Sequence, residues 1–241
     1  MQSDKLVLGD FPILRTTAPH LAKHLLGCLQ HKHPVKLFFA NTNFVVKCRS
    51  LSRKMRDESV IIVNDGIGID IAAWLIHRRR FKENLNGTDF TPYLLRQAAR
   101  PLRLFLLGGK PQVIDRAAEY ARHKLGQEVV GTCDGYAGMN DISLVERIAR
   151  SQPDLLLVAL GNPIQEQWIL QHHESLKVPL VMGVGALFDF WADAKPRAPR
   201  VIQSLRLEWL YRLCLEPRRL LRRYTVDIVR FLFYCHRYHS D

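Results

Sequence analysis

Four consecutive β-branched residues, Val60 to Val63, most constrain how this chain can fold. An apolar run without alternation is typical of a strand covered on both faces, as in a parallel sheet. The run ends at Asn64-Asp65-Gly66, whose residue types favour a turn, and a helix-length segment follows. Asp65 therefore stands where a buried strand passes into a helix, the position at which open α/β sheets bind ligands. The alternative interpretation is that Asp65 only caps the helix.

Strands and helices alternate along the rest of the chain. We predict strands at residues 5–8, 11–14, 35–40, 60–63, 102–107, 128–131, 154–160 and 178–183. Helices are expected between them, including a basic helix at 44–58 and one that begins at Thr88 or Asp89. This alternation predicts an α/β fold with a mostly parallel sheet flanked by helices.

The charge and the cysteines limit the class of protein. A net charge of +12 over 241 residues predicts an anionic partner: nucleic acid, acidic lipid or a phosphorylated substrate. Five scattered cysteines without a C-x-x-C pair argue against a disulfide framework or a zinc site and fit a reducing compartment. The start of the sequence lacks a signal-peptide pattern, and no apolar run reaches the ~18 residues of a membrane span. We therefore expect a cytoplasmic protein, with a membrane surface as an open alternative.

Polar or glycine-rich residues follow six of the predicted strands. They are Asn41-Thr42-Asn43, Asn64-Asp65-Gly66, Gly108-Gly109-Lys110, Asp134-Gly135-Tyr136, Gly161 to Glu166 and Gly183 to Gly185. Because the carboxyl ends of parallel strands lie along one edge, we predict a single ligand cleft rather than six unrelated turns. Glycines before a helix start, together with the basic excess, favour a phosphorylated ligand, although plain turn geometry also explains the glycines.

Several common phosphate and metal motifs are missing from the sequence. There is no G-x-G-x-x-G after the first strand, no Walker A sequence and no Asp-x-Asp pair. The pairs His31-x-His33 and His172-His173 lack companion ligands at metal-site spacing. We expect neither a bound metal nor a cofactor.

The composition changes after Trp191. Residues 195–241 contain eleven Lys or Arg against four Asp or Glu, with Leu, Trp and Phe interleaved at helical spacing. A solvated basic face and a nucleic-acid-binding helix are two interpretations, but the apolar content is high for the second. We favour helices that lie on an anionic membrane surface, with no nucleic-acid partner. We divide the chain into a core at 1–194 and a basic appendage at 195–241.

Motifs along almost the whole chain match one known family. They are Asn64-Asp65-Gly66-Ile67-Gly68, Asn86-Gly87-Thr88-Asp89, Leu106 to Pro111, Gly131 to Tyr136, Gly161-x-Pro163-x-Gln165-Glu166-x-Trp168, Gly183 to Asp189, Arg197-Ala198-Pro199, Leu207 to Arg212, Glu216 to Arg219 and Arg223-Tyr224. In this order they resemble the TagA/WecG/CpsF glycosyltransferases, which transfer a sugar from a UDP-sugar to a polyprenyl-diphosphate-linked acceptor.

The resemblance implies a role for each candidate residue. It implies a Rossmann-like core that needs no metal, with Asp65 as the general base on the acceptor hydroxyl. It also implies an appendage that docks on the inner face of the cell membrane, and some self-association. The arginines that would neutralise the leaving UDP are Arg212, Arg219, Arg222 and Arg223. The nucleotide and donor candidates are Gly108, Gly109, Lys110, Tyr136, Gln165, Glu166 and Gly185.

Two departures from the family pattern bear on the sugar. The usual Thr-Pro-Asn is Asn41-Thr42-Asn43 here, so a threonine role falls on Thr42 or is taken by Asn41. The usual arginine before Gly87 is Asn84. The candidates for selecting the sugar or the acceptor are Asn43, Asn64, Asn84 and Asp89. A family branch that assembles xanthan-like exopolysaccharide uses UDP-glucose, and we favour a plain hexose slightly over N-acetylmannosamine. The competing hypothesis is a non-catalytic α/β protein that binds membranes or nucleic acid.

Overall fold

The computed structural model describes residues 4–136, 143–199, 202, 208–215, 217 and 225–237. Its centre is an eight-stranded sheet with the order β1-β2-β4-β3-β8-β7-β5-β6. The strands are β1 (Lys5–Leu8), β2 (Phe11–Leu14), β3 (Val35–Ala40), β4 (Val60–Asn64), β5 (Arg103–Gly108), β6 (Glu128–Cys133), β7 (Leu155–Ala159) and β8 (Leu180–Gly183). Among the strand pairs of the described residues, only β1–β2 is antiparallel. The predicted mostly parallel α/β fold is confirmed.

Helices cover both faces of the sheet. They are α1 (Ala18–Gln30), α2 (Thr42–Lys47), α3 (Ile67–His77), α4 (Gly87–Gln97), α5 (Pro111–His123), α6 (Leu144–Ser151), α7 (Ile164–Leu176), α8 (Leu187–Trp191), α9 (Glu208–Leu215) and α10 (Val226–Arg237). Buried side chains of α2, α3, α6, α7 and α10 form one core cluster, and those of α1, α4, α5 and α8 form the other. The neighbouring strands β3 and β8 therefore lead to helices on opposite faces, which opens a crevice between their carboxyl ends.

Two helices differ from the prediction in extent. The basic helix expected at 44–58 ends at Lys47, and two short 3₁₀ turns follow at Arg49–Leu51 and Lys54–Arg56. Serine favours turns and caps over helix interiors, so Ser50 and Ser52 lower the helix propensity of this segment. Helix α4 begins at Gly87 rather than at Thr88 or Asp89, because Asn86 Oδ1 accepts the backbone N–H of Asp89 at 2.9 Å.

The last described helix packs into the core. Phe231 of α10 is fully buried, and Tyr234 and Cys235 are nearly so. Tyr234 donates its hydroxyl to Asp10 Oδ2 at 2.8 Å, and the Arg49 guanidinium lies 5.0 Å from the centre of the Tyr234 ring. The predicted appendage at 195–241 thus contributes at least this helix to the packing of the predicted core.

Candidate active site

The six polar strand ends meet at one cleft of about 1450 Å³ along the carboxyl edge of the parallel strands. Its lining includes Asn41, Thr42, Asn43, Asp65, Gly66, Gly109, Lys110, Gly135, Tyr136, Gly161, Asn162, Gln165, Gly183, Val184 and Gly185. Pockets for a drug-sized ligand usually measure roughly 300–1,000 Å³. This cleft therefore has room for more than one small ligand at a time.

Asp65 lines the cleft immediately after β4. Its backbone N–H donates to the carbonyl of Ala40 at 2.8 Å, and its Oδ2 accepts Asn41 Nδ2 at 3.3 Å. The N-cap position of α3 is occupied by Gly66, with no side-chain cap hydrogen bond. Capping alone does not account for the Asp65 side chain, which presents a partly buried carboxylate to the cleft.

Asn41 orients that carboxylate from the neighbouring strand. Its Oδ1 accepts the backbone N–H of Phe44 at 3.1 Å as the N-cap of α2, while its Nδ2 donates to Asp65 Oδ2. Thr42 follows as the first residue of α2 and is nearly buried. A Cβ at Gly68 would lie 2.5 Å from the Thr42 methyl carbon, so α2 and α3 approach closely beside the cleft.

The asparagines predicted to select the sugar are placed differently from one another. Asn43 and Asn84 line the cleft, and Asn84 Oδ1 accepts the backbone N–H of Gly66 at 2.7 Å. Asn64 is fully buried outside the lining, where its Nδ2 donates to the Glu83 carbonyl at 2.8 Å. It therefore holds the segment that carries Asn84. Asp89 also lies outside the lining and contacts Arg197 and Asn86.

Glycines shape the donor side of the predicted site. A Cβ at Gly108 would lie 2.4 Å from the Ala159 carbonyl oxygen, so a side chain there would push β5 and β7 apart. Gly109 has a φ of +75° and lines the cleft with Lys110, directly before the first turn of α5. Pro111 has no N–H and the N–H groups of Val113 and Ile114 donate to the Lys110 carbonyl, so an anion here would meet the N–H groups of Gly109, Lys110 and Gln112. Tyr136, with 63% of its surface exposed, also lines the cleft.

Gln165 joins two of the strand-end loops. Its Oε1 accepts the backbone N–H groups of Gly161 at 3.2 Å and Gly185 at 3.0 Å, and the side chain is almost completely buried. These two N–H groups are therefore bound to the protein and do not face a ligand. Gln165 Nε2 donates to Glu166 Oε1 at 2.7 Å.

Glu166 lies beneath the cleft rather than in its lining. Only 1% of its surface is exposed. Its Oε1 also accepts Asn162 Nδ2 at 2.6 Å, and its Oε2 lies 3.6 Å from Cys48 Sγ, which donates. Burial raises the pKa of the carboxyl group, and the hydrogen bonds oppose that rise. Glu166 holds the loop before α7 in place from below.

The structure adds cleft residues that the sequence analysis missed. Asp70, in the first turns of α3, provides a second and nearly buried carboxylate in the lining. Asp189 lines the cleft and pairs with Lys195 at 2.6 Å. Helix α10 contributes the apolar side chains of Ile228, Phe231 and Leu232 to the lining. Asp70 could have been proposed from the sequence, because it follows Asp65 by five positions in the same strand-to-helix motif. Nothing local in the sequence indicates that α10 reaches the cleft.

The side chains of the four predicted arginines lie outside the described part of the structure. Arg212 belongs to α9, whose backbone is described, and Arg219, Arg222 and Arg223 lie outside the described residues. Within the described part of the chain, no group of three or more His, Cys, Asp or Glu side chains is placed to hold a metal ion. The same part contains no helix with the length and apolar character needed to cross a membrane.

These features define an α/β protein with a large, mixed polar and apolar ligand cleft at the carboxyl edge of its sheet. The chain belongs to the glycosyl transferase WecG/TagA/CpsF family, whose model matches residues 6–240. It is therefore a glycosyltransferase, and the hypothesis of a non-catalytic binding protein is not retained.

Similar curated proteins carry a more specific name. A protein of Staphylococcus aureus (strain NCTC 8325 / PS 47), named N-acetylglucosaminyldiphosphoundecaprenol N-acetyl-beta-D-mannosaminyltransferase, is 29% identical over 219 residues. The match covers 84% of this chain and 85% of the relative. The protein of the same name from strain MRSA252 is also 29% identical, with the same coverage. The acceptor in that name is N-acetylglucosamine joined to undecaprenol through a diphosphate.

Proposed function

We propose that this glycosyltransferase moves a hexose from a UDP-sugar to a hydroxyl of a polyprenyl-diphosphate-linked sugar, in the assembly of a cell-surface or exopolysaccharide. The observation that carries the proposal is the placement of Asp65, held by Asn41, in a cleft with room for two substrates. The relatives' names support the lipid-linked acceptor.

Asp65 is the proposed general base. As the acceptor hydroxyl oxygen attacks C1 of the donor sugar, its proton passes to the Asp65 carboxylate and the bond from C1 to the UDP oxygen breaks. Attack on the face opposite UDP inverts the configuration at C1. Asn41 keeps one carboxylate oxygen engaged, which limits the rotation of the side chain and favours one orientation for proton transfer.

The diphosphate of UDP is proposed to lie at Gly109, Lys110 and the start of α5. This position supplies backbone N–H groups, a lysine charge and the positive end of a helix. The resemblance adds Tyr136 beside the nucleotide and Arg212, Arg219, Arg222 and Arg223 around the leaving group. Positive charge placed there would stabilise UDP as it leaves, the task that a metal ion performs in other glycosyltransferases.

The donor sugar has two candidates. The departures at Asn41 and Asn84, both in the cleft lining, favour a plain hexose such as glucose. The relatives are named for N-acetylmannosaminyl transfer and lend glucose no support. N-acetylmannosamine, or its uronate, is thus the competing donor. Asn43 and Asn84 are the side chains best placed to choose between them, because both face the cleft.

A lipid-linked acceptor places the reaction at a bilayer. We propose that the protein acts on the inner face of the cell membrane as a peripheral protein, through the basic segment 195–241, and that it self-associates. Light scattering with and without lipid checks the second point.

A donor panel tests the proposal directly. The purified chain is incubated with a polyprenyl-diphosphate-linked sugar and, separately, UDP-glucose, UDP-N-acetylmannosamine, its uronate and UDP-N-acetylglucosamine, with and without EDTA. We expect transfer from one donor at an unchanged rate in EDTA. Absence of transfer from every donor with both a glucosyl and an N-acetylglucosaminyl acceptor would contradict the proposed function, and loss of transfer in EDTA would contradict the metal-independent mechanism.

A further inference from the structure

Helix α3 is apolar on two sides although it lies at the surface. Ile69, Ala72 and Ala73 face the core and are buried. The opposite side exposes a second stripe with helical spacing, formed by Ile67, Ile71, Trp74 and Leu75. An ordinary surface helix has one apolar stripe and a polar remainder. We therefore expect the second stripe to contact a binding partner.

Helix α10 continues this exposed surface. It buries Phe231, Tyr234 and Cys235 in the core but leaves 67% of Val229 and 68% of Phe233 exposed. Helices α3 and α10 pack against each other. We call the set Ile71, Trp74, Leu75, Val229 and Phe233 the apolar face. Large apolar side chains exposed together on two packed helices are a feature of interaction sites.

The apolar face is continuous with the mouth of the cleft. Ile67 and Ile71 of α3 line the cleft, and so do Ile228 and Leu232 of α10. The same two helices thus present side chains both to the ligand cleft and to the surroundings. A partner bound on the apolar face lies beside the entrance to the proposed active site.

Basic side chains lie on the two helices of the apolar face and on a neighbouring segment. The Arg78 guanidinium lies 5.4 Å from the centre of the Trp74 ring, and Arg230 and Arg237 are exposed on α10. Helix α2, which packs on α10, begins a segment at 42–56 with five Lys or Arg and no Asp or Glu. Tryptophan and aliphatic side chains bordered by arginine are typical of surfaces at the headgroup level of an anionic bilayer.

A second copy of the chain fits this face less well. In a two-fold dimer the same patch would meet itself, which would bring the arginines of the two copies together. A nucleic acid would use the arginines but leave the leucine, valine and phenylalanine side chains in water. An anionic bilayer satisfies both kinds of residue.

We propose that α3 and α10 form the surface through which the protein lies on an anionic bilayer, with the cleft mouth held at the headgroups. This proposal rests on the proposed function, in which the acceptor is anchored in the bilayer. It assigns membrane contact to α3 of the core, where the sequence analysis placed it only in the segment 195–241.

Vesicle co-sedimentation tests the apolar face. The full chain is compared with the double variant Leu75→Glu/Phe233→Glu on phosphatidylglycerol-rich and on pure phosphatidylcholine vesicles. Neither residue lines the cleft. The matched control is Gln97→Glu/His123→Glu, which adds the same charge at exposed ends of α4 and α5 on the opposite side of the sheet. We expect the double variant to bind anionic vesicles at least about tenfold more weakly, and the control to bind like the wild type.

The other readouts separate the outcomes. Circular dichroism checks folding, and Val229→Glu, at a position 67% exposed, replaces the double variant if that variant unfolds. Equal vesicle binding by the wild type and the folded variant would overturn the proposal. So would a wild-type dimer in light scattering that the variant dissociates without any change in vesicle binding. UDP binding by calorimetry is expected to be equal in all chains, and its absence in the wild type would count against the proposed function alone.

Discussion

Asn41 donates its side-chain amide to the carboxylate of Asp65, joining the ends of the neighbouring parallel strands β3 and β4 at 3.3 Å. The same asparagine caps α2 through its oxygen. One side chain thus serves both the local helix and the proposed base, and these two roles can be separated by substitution.

Replacing Asn41 by serine is expected to keep the helix cap and remove the amide that holds Asp65. Serine caps nearly as well as asparagine, so the free energy of unfolding should change by less than about 0.5 kcal/mol, whereas Asn41→Ala should cost about 1 kcal/mol. Both variants should lower kcat about tenfold because Asp65 is less well oriented. Urea unfolding and steady-state transfer assays measure the two effects. A kcat that Asn41→Ser leaves unchanged would show that Asn41 acts only as a cap.

Replacing Glu166 by glutamine is expected to disturb the loops beneath the donor. Glutamine offers one oxygen and one NH₂ group to a site where Asn162, Gln165 and Cys48 all donate. The variant should therefore lose about 1–3 kcal/mol of stability and show a raised donor KM with a smaller change in kcat. The conservative variant Glu166→Asp keeps both carboxylate oxygens, so its donor KM should lie closer to the wild-type value than that of Glu166→Gln. An unchanged KM would limit Glu166 to a stabilising role.

The pH dependence of stability provides a separate check on Glu166. Burial raises the pKa of its carboxyl group in the folded state, so the folded chain holds this proton more tightly than the unfolded chain does. Its contribution to stability is complete below the ordinary glutamate pKa and declines as the pH rises toward the raised value. We expect the free energy of unfolding of the wild type to fall relative to that of Glu166→Gln as the pH rises across this range. Urea unfolding of both proteins at several pH values measures the difference. A constant difference would contradict the raised pKa.

Two phenylalanines of α10 test whether this helix is docked. Phe231 is fully buried and Phe233 is 68% exposed, two residues apart on the same helix. Phe231→Ala should cost about 3–5 kcal/mol by leaving a cavity, and Phe233→Ala should change stability by less than about 0.5 kcal/mol. Chemical unfolding followed by circular dichroism measures both. Similar values for the two variants would contradict the packing of α10 on the core.

Truncation before Lys195 extends this test to the predicted boundary. Considered from the sequence alone, residues 1–194 should form a folded core without the basic segment. The structure predicts a less stable core, because removal of α10 uncovers the side chains that Phe231, Tyr234 and Cys235 cover. If the truncated chain unfolds at the same urea midpoint as the full-length chain, this expectation is contradicted.

The local pattern of apolar and polar residues was sufficient to predict the parallel sheet and the edge at which the cleft lies. Buried strands that each end in Asn, Asp or Gly determine where the polar residues gather, since the carboxyl ends of parallel strands share one edge. The expected helix at 44–58 was wrong in extent, because the basic residues suggested one solvated helix where the chain forms a short helix and two 3₁₀ turns.

Contacts between distant parts of the chain could not be predicted from the sequence. The Tyr234–Asp10 hydrogen bond spans 224 positions, and the contact of Cys48 with Glu166 spans 118. The motif around Gln165 indicated a polar site, but only the fold shows that Gln165 and Glu166 bind their own loops. The exposed stripe of α3 was present in the sequence as an unusually apolar helix, and its meaning required knowledge of which side is buried.

The central claim is that Asp65 is the base for sugar transfer, and Asp65→Asn tests it most directly. The amide has the same shape and can still accept a hydrogen bond from Asn41, but it does not take up the proton. We predict unchanged UDP binding and a loss of transfer of about 10²–10⁴-fold, while Asp115→Asn, on the exposed side of α5, transfers at the wild-type rate. Transfer by Asp65→Asn at the wild-type rate would contradict the account.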